Sequence, residues 1–257
     1  MLTPPEIARS LLAAGESKAR LPLGKMLLLA ILAGAYIALA GVGATAAAVT
    51  VESGSLAKLL SACVFPAGLS MVILAGSELF TGNCLMVMAL LERRITPAQL
   101  LRNWLTVYLG NAVGGAAVAA LAVYSHTASL FGDGLARSMV SIAESKAALG
   151  AGDAFLRGVL CNFLVCLAVW MAAASKRAEG KVIALFFPIL LFVLCGYEHC
   201  IANLYYLPAG AFAAAEYGME TTLTLAGCLK NLAAVTLGNL VGGAALGVGY
   251  RFAYFKE

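Results

Sequence analysis

Gly76-Ser77-Glu78-Leu79-Phe80-Thr81-Gly82-Asn83 and Gly196-Tyr197-Glu198-His199-Cys200-Ile201-Ala202-Asn203 share the pattern G-x-E-x-x-x-x-N, 120 residues apart. A second pair, Gly110-Asn-Ala-Val-Gly-Gly115 and Gly238-Asn-Leu-Val-Gly-Gly243, repeats in the same order 128 residues apart. Two matched motifs in one order identify an internal repeat. Around them lie six apolar stretches, near 26–48, 57–91, 98–124, 150–174, 182–214 and 223–250. A spanning helix needs roughly 20 apolar residues. Three spans per copy is an odd number, so the second copy is inverted in the membrane. The expected fold is an all-α membrane protein with six transmembrane helices in two inverted three-helix repeats, the second and fifth helices broken. Broken backbone at that depth is tolerated only where it is buried in protein or lines a cavity, and inverted repeats with discontinuous helices are a transport architecture with the site at the midplane.

Composition agrees. The 257 residues are 62% hydrophobic and 12% charged, with a mean hydropathy of +0.92. A soluble domain is typically about 45–50% apolar and about 25% charged. A soluble domain, a disordered chain, a coiled coil and a nucleic-acid binder are all excluded by the shortage of charge. The seven cysteines lie in apolar stretches without Cys-x-x-Cys or zinc spacing, which argues against a disulfide framework or a metal site.

Charge sets an expected orientation. One set of connecting segments holds Arg9, Lys18, Arg20, Lys25, Arg93, Arg94, Arg102, Lys176, Arg177, Lys181, Arg251 and Lys256; the other holds only Lys58, Arg137 and Lys146. The positive-inside bias then puts both termini in the cytoplasm. Lys146 is the outlier, an outside lysine just before the fourth span. Charges run through residues 6–25, leaving no apolar centre for a signal peptide. Thr3-Pro4-Pro5-Glu6 has capping-box form, and Ile7, Leu11 and Leu12 share a face. An amphipathic helix is expected, lying on the membrane surface or capping a pore mouth. The expected divisions are this helix over 1–25, repeats over 26–124 and 150–250, a linker over 125–149, and a cytoplasmic end over 251–257.

The polar residues inside the spans are few. His199 is an ionisable group in a break motif, a functional candidate by default. Glu78 and Glu198 repeat, whereas the histidine does not. One reading is that they transport protons; the expected role is structural, accepting hydrogen bonds from N–H groups freed at the breaks, with Asn83 and Asn203 beside them. Thr81 can donate from its hydroxyl to a substrate or to His199, or bond its own helix. Asn162 and Asn83, polar groups in otherwise apolar stretches, are gate partners or interhelix glue. The repeated glycines are expected to let helices approach closely. Half-helix N-termini would aim partial positive charge at the centre, which suits an anion.

Ser77-Glu-Leu-Phe-Thr81, Gly196-Tyr-Glu-His-Cys-Ile-Ala-Asn203 and Asn162-Phe-Leu-Val-Cys-Leu-Ala-Val-Trp170 resemble the signature loops and fourth span of the formate/nitrite transporter family. The resemblance covers essentially the whole chain. It implies an aquaporin-like fold, one pore per protomer, a homopentamer, and a multi-pass protein of the cytoplasmic (inner) membrane. It implies that Thr81 and His199 form the central pair, with Lys146 and Asn162 also on the substrate pathway. Phe65 and Phe192 would form the outer constriction, and Leu69, Leu79, Phe80 and Val165 the inner one. The segment around Thr81 would be mobile, and the N-terminal helix would block the mouth at low pH. The implied partners are the lipid bilayer, a proton and a small monovalent anion: nitrite or formate, with hydrosulfide also in the family. Gly82 and Leu225-Ala-Gly227 lean toward nitrite members, and Lys230 leans away. No cofactor, metal or nucleic acid is implied.

On this reading Lys146 concentrates the anion, which meets Thr81 and His199 between the constrictions. It crosses either after receiving a proton from His199, or from a water that His199 orders, or as the charged ion. A bare ion leaving water costs several kcal/mol. A neutral-solute channel on the same fold lacks its paired Asn-Pro-Ala loops here. An intramembrane enzyme would need Glu198 and His199 as an acid/base pair, but adjacent helical residues point about 100° apart, and no nucleophile accompanies them.

Overall fold

The computed structural model describes residues 1–255. Lys256, assigned above to the inside charge, and Glu257, the last residue of the 251–257 segment, lie outside the described residues. Among the described residues the structure is helical, without strands. The first copy of the repeat comprises α2 (Leu23–Ala46), α3 (Gly54–Val64), α4 (Pro66–Ala75), α5 (Phe80–Asn83), a 3-10 turn at Cys84–Met86, α6 (Val87–Leu91) and α7 (Pro97–Tyr124). The second comprises α9 (Ala151–Ala173), α10 (Ala178–Leu194), α11 (Cys200–Glu216) and α12 (Leu225–Tyr254). Preceding them is α1 (Pro4–Ala19), and α8 (Gly134–Ala148) lies between the copies. Among the described residues five helical segments are long and apolar enough to cross a membrane: α2, α3 with α4, α7, α9 and α12.

The breaks fall at the repeated motifs. Gly76 and Gly196 end α4 and α10 with φ of +79° and +69°, a backbone state that glycine reaches without a Cβ penalty. The nearby prolines do not break the chain. Phe65 is helical, so α4 continues α3 through Pro66, while Pro188 and Pro208 lie inside α10 and α11.

Within each copy the first and third helices pack side by side, α2 on α7 and α9 on α12. A Cβ on Gly114 would collide with the Ile31 carbonyl, and one on Gly242 with the Val159 carbonyl. These glycines therefore let backbones touch, as expected of small residues between spans. On the outside, leucines such as Leu28, Leu105, Leu109, Leu156 and Leu237 are exposed. So extensive an apolar surface belongs against lipid or another subunit.

Two expectations are refined. The 125–149 linker is mostly the ordered helix α8, packed on α11. The amphipathic helix α1 is folded against the protein, with Ile7 and Ala8 buried beside Met88 and Trp170. Leu11, Ala14, Gly15 and Lys18 of this helix line the cavity beside the first break. All seven cysteines are free thiols, and Cys84, Cys161, Cys166 and Cys200 are buried.

Candidate functional site

The two break loops are held by duplicated hydrogen-bond networks. In the first, Asn111 on α7 accepts from the Phe80 amide at 3.0 Å and donates to the Ala30 and Glu78 carbonyls at 2.7 and 2.9 Å. In the second, Asn239 on α12 accepts from the Cys200 amide at 2.9 Å and donates to the Gly158 and Glu198 carbonyls at 2.8 and 2.9 Å. One buried carboxamide per break satisfies the backbone groups that the interrupted helix would orphan. Both asparagines sit inside the motif Gly-Asn-x-Val-Gly-Gly. That motif pointed to the glycines as packing residues and passed over the asparagine between them. Its recurrence at the same register was the available signal.

The glutamates do a different job from the one expected. Glu78 Oε2 accepts from the Asn83 side chain at 2.7 Å, and Asn83 also donates to Asn103 at 2.9 Å. Glu198 Oε2 accepts from Asn203 at 2.7 Å, which donates to Asn231 at 2.8 Å. The other oxygen of each takes a lysine: Lys18 Nζ to Glu78 at 2.7 Å and Lys146 Nζ to Glu198 at 2.9 Å. The carboxylates thus bind side-chain amides and ammonium groups rather than freed backbone N–H groups. A buried carboxylate beside a lysine is better compensated by that charge than by neutral amides. Lys18 comes from α1 and Lys146 from the last turn of α8, so elements outside the repeats complete the symmetry. The sequence pointed to Lys146; it gave Lys18 no role beyond the charge count.

The central pair is Thr81 and His199. The Thr81 hydroxyl lies 3.0 Å from His199 Nε2, and both residues are buried. His199 Nδ1 accepts from the Ala202 amide at 3.0 Å, capping the N-terminus of α11. A backbone amide is an obligate donor, so Nδ1 carries no proton in this arrangement and neutral His199 holds its proton on Nε2. Nε2 then donates to Thr81, which leaves the threonine hydroxyl proton free for another acceptor. Asn162 donates to the Thr81 and Asn239 carbonyls at 3.3 and 2.7 Å, linking the two breaks. Cys166 also reaches the Thr81 carbonyl. Glu198 and His199 turn to separate partners, so they form no acid/base pair.

His199 faces a narrow chamber of about 10 Å³, lined also by Ile37, Phe65, Leu69, Leu79, Val165, Ile189 and Phe192. That volume holds no more than about one water, whose smallest workable cavity is about 10–15 Å³. Phe65 and Phe192 meet edge to face with centroids 5.6 Å apart, and Phe192 stacks on the His199 ring at 5.8 Å. Five of the six expected constriction residues line the chamber. Phe80 instead packs edge-on against Tyr108 and Trp104 of α7 and is not among the residues lining the chamber or either vestibule. Ile37 and Ile189 come from uniformly apolar helices, where periodicity carried no signal for them.

A cavity opens on each side. One, of about 340 Å³, holds Lys146, Glu198 and His199 with Phe65 and Phe192 at its floor. The other, of about 310 Å³, lies between α1 and the first break and holds Lys18, Glu78, Leu69 and Leu79. The arrangement is two lysine-bearing vestibules separated by an apolar plug that His199 faces, while Thr81, bonded to His199 behind it, lines neither the chamber nor either vestibule.

The chain matches the family model described as formate/nitrite transporter over residues 5–253. It is 38% identical to a probable formate transporter of Methanothermobacter thermautotrophicus, covering 99% of this chain and 98% of that protein. It is 39% identical to a formate channel of Haemophilus influenzae over 86% of this chain and 83% of the other. Among solved structures it is similar to an FNT family ion channel, with a TM-score of 0.87 and 32% identity over 96% and 98% of the two chains. It is also similar to a pentameric formate channel with formate bound, with a TM-score of 0.80 and 32% identity over 91% and 98%. Matched along nearly its whole length in sequence and in fold, the chain is a multi-pass membrane protein and belongs to the formate/nitrite transporter family.

Proposed function

We propose that each protomer is a passive pore for a small monovalent anion, with formate the first substrate and nitrite and hydrosulfide the alternatives. The observation that carries this is His199, hydrogen-bonded to Thr81, facing a narrow apolar plug between two lysine-bearing vestibules. Formate is favoured by the names of the relatives, and a homopentamer by the pentameric formate channel. The charge bias supports α1 on the cytoplasmic side and α8 outside, in the inner membrane.

In this reading Lys146 and Lys18, each paired with its glutamate, line the entrances by which an anion approaches from the two faces. The anion sheds water at Phe65 and Phe192 and accepts the free Thr81 hydroxyl proton as a hydrogen bond. Asn162 supports the loop that presents Thr81. Leu69, Leu79 and Val165 form the barrier beyond. Phe80 acts through its packing on α7. A charged anion at the plug faces a desolvation cost of several kcal/mol, so carriage as the neutral acid lowers the barrier. Protonation of His199 has a structural consequence: Nδ1 would have to release the Ala202 amide, and α11 would lose its cap. The geometry therefore supports a neutral His199 at rest, with proton transfer coupled to loosening of the second break.

The test is uptake of formate, nitrite and hydrosulfide into proteoliposomes at two pH values. Selective, saturable passage of one or more supports the reading. Absence of flux for all three from folded protein in intact liposomes contradicts it.

A further inference from the structure

The two vestibules match in hydrogen bonding but not in charge. The vestibule under α8 is lined by three cations, Lys58, Lys146 and Arg157, against one carboxylate, Glu198. Lys146 is committed to Glu198. Lys58 and Arg157 are exposed, and among the described residues neither has a carboxylate within ion-pair distance. The vestibule under α1 has one cation, Lys18, and one acid, Glu78, bonded to each other. Each break supplies the glutamate of one lysine–glutamate pair, and only the α8 vestibule adds unpaired cations, Lys58 from α3 of the first copy and Arg157 from α9 of the second.

Two free cations around one cavity define a preference for an anion with two charges. Arg157 offers a planar fork that a carboxylate matches with two bonds, and Lys58 offers a compact point charge. The cavity, of about 340 Å³, accommodates a small dicarboxylate with water. Beyond Phe65 and Phe192 only about 10 Å³ remains, and a dianion entering it would have to lose hydration of both charges. Such an ion is concentrated in the vestibule and stopped there. We propose that the α8 vestibule binds a small dicarboxylate between Lys58 and Arg157, and that a bound dianion obstructs the pore from that face alone. The binding site stands on the vestibule's own charge; the obstruction rests on reading the pore as an anion path.

The probe is oxalate. Formate flux is measured in proteoliposomes whose orientation is read from protease access to α1, with oxalate added to one face at a time. Oxalate on the α8 face should inhibit, and on the α1 face it should not. In Lys58→Gln/Arg157→Gln the half-inhibitory concentration should rise about tenfold or more, the scale of charge focusing in a cleft. Lys230→Gln, an exposed charge change on α12, should leave it unaltered. Inhibition should weaken between 0.01 and 0.15 M salt, as the screening length falls from about 30 to about 8 Å. Oxalate is also titrated calorimetrically into the solubilised protein, with the double variant's assembly checked by size exclusion. Equal inhibition from both faces, inhibition unchanged in the double variant, or no heat of oxalate binding would overturn the proposal. Oxalate binding lost in the double variant, in a protein that passes no formate, would support the site and contradict the channel reading.

Discussion

His199 and Thr81 stand 118 positions apart in sequence, yet their Nε2 and Oγ1 atoms are 3.0 Å apart. The Ala202 amide fixes Nδ1 as an acceptor, so the proton of the neutral ring is on Nε2. Nitrogen NMR of the protein labelled at histidine, in detergent at neutral pH, should therefore show the Nε2–H tautomer for His199. Assignment comes from His199→Asn. The Nδ1–H tautomer would mean that the cap and the pair do not coexist.

Lys146 and Glu198 have side chains 15% and 7% exposed, whereas Lys18 is 29% exposed beside Glu78 at 8%. Breaking a buried pair costs about 3–5 kcal/mol, chiefly through the charge left behind. Glu198→Ala should therefore lower thermal stability by several kcal/mol. Glu78→Ala should cost less, because Lys18 can reach water. Thermal unfolding in detergent checks the order; a larger loss for Glu78→Ala would show that exposure does not govern the two pairs.

Asn111 and Asn239 each satisfy three backbone groups at a break. A buried group left unsatisfied costs about 1–3 kcal/mol. Asn111→Leu and Asn239→Leu should each be strongly destabilising, to a similar extent, with loss of folded yield on size exclusion. Gly110→Ala, a packing change without a polar loss, should differ in leaving amide protection in the break loop intact by hydrogen exchange.

Glu144 on α8, outside the span-capable segments, accepts from the Thr222 amide at 2.6 Å and the Thr221 hydroxyl at 2.9 Å. The Thr222 amide first, then the Thr221 hydroxyl, hold its carboxyl below its ordinary value of 4.5. A folded-state value below the unfolded one means the contribution is present above about pH 4.5 and is lost as pH falls through the lowered value. Hydrogen exchange at Thr222 should stay slow at pH 5 and quicken in stronger acid, beyond the intrinsic change. Glu144→Gln should remove that excess; a Thr222 amide equally protected in Glu144→Gln would show that the carboxylate does not hold this loop.

The repeat and the breaks were legible because they leave periodic or polar marks, whereas the apolar chamber was reached only through the family resemblance. Glycine with glutamate and asparagine at one spacing marked both breaks, and His199 and Thr81 stood out as polar groups in apolar spans. What stayed hidden was pairing between polar residues far apart in sequence. The partner of Glu78 is a lysine 60 residues away on a helix outside the repeat. The supports of both breaks are asparagines 33 and 41 residues from the carbonyls they hold. Ile37 and Ile189 line the chamber from helices that are apolar on every side, where sequence cannot distinguish a pore face from a lipid face.

The central claim is that a small anion crosses at the Thr81–His199 pair, and the most direct measurement is formate flux through Thr81→Val and Thr81→Ser beside the unaltered protein. Valine preserves shape but leaves the His199 donor without its partner, an unmade bond worth about 1–3 kcal/mol or roughly 5- to 150-fold. The account predicts a loss of flux in that range for Thr81→Val, near-normal flux for Thr81→Ser, and the same assembly on size exclusion for all three. Flux unchanged in Thr81→Val would contradict it.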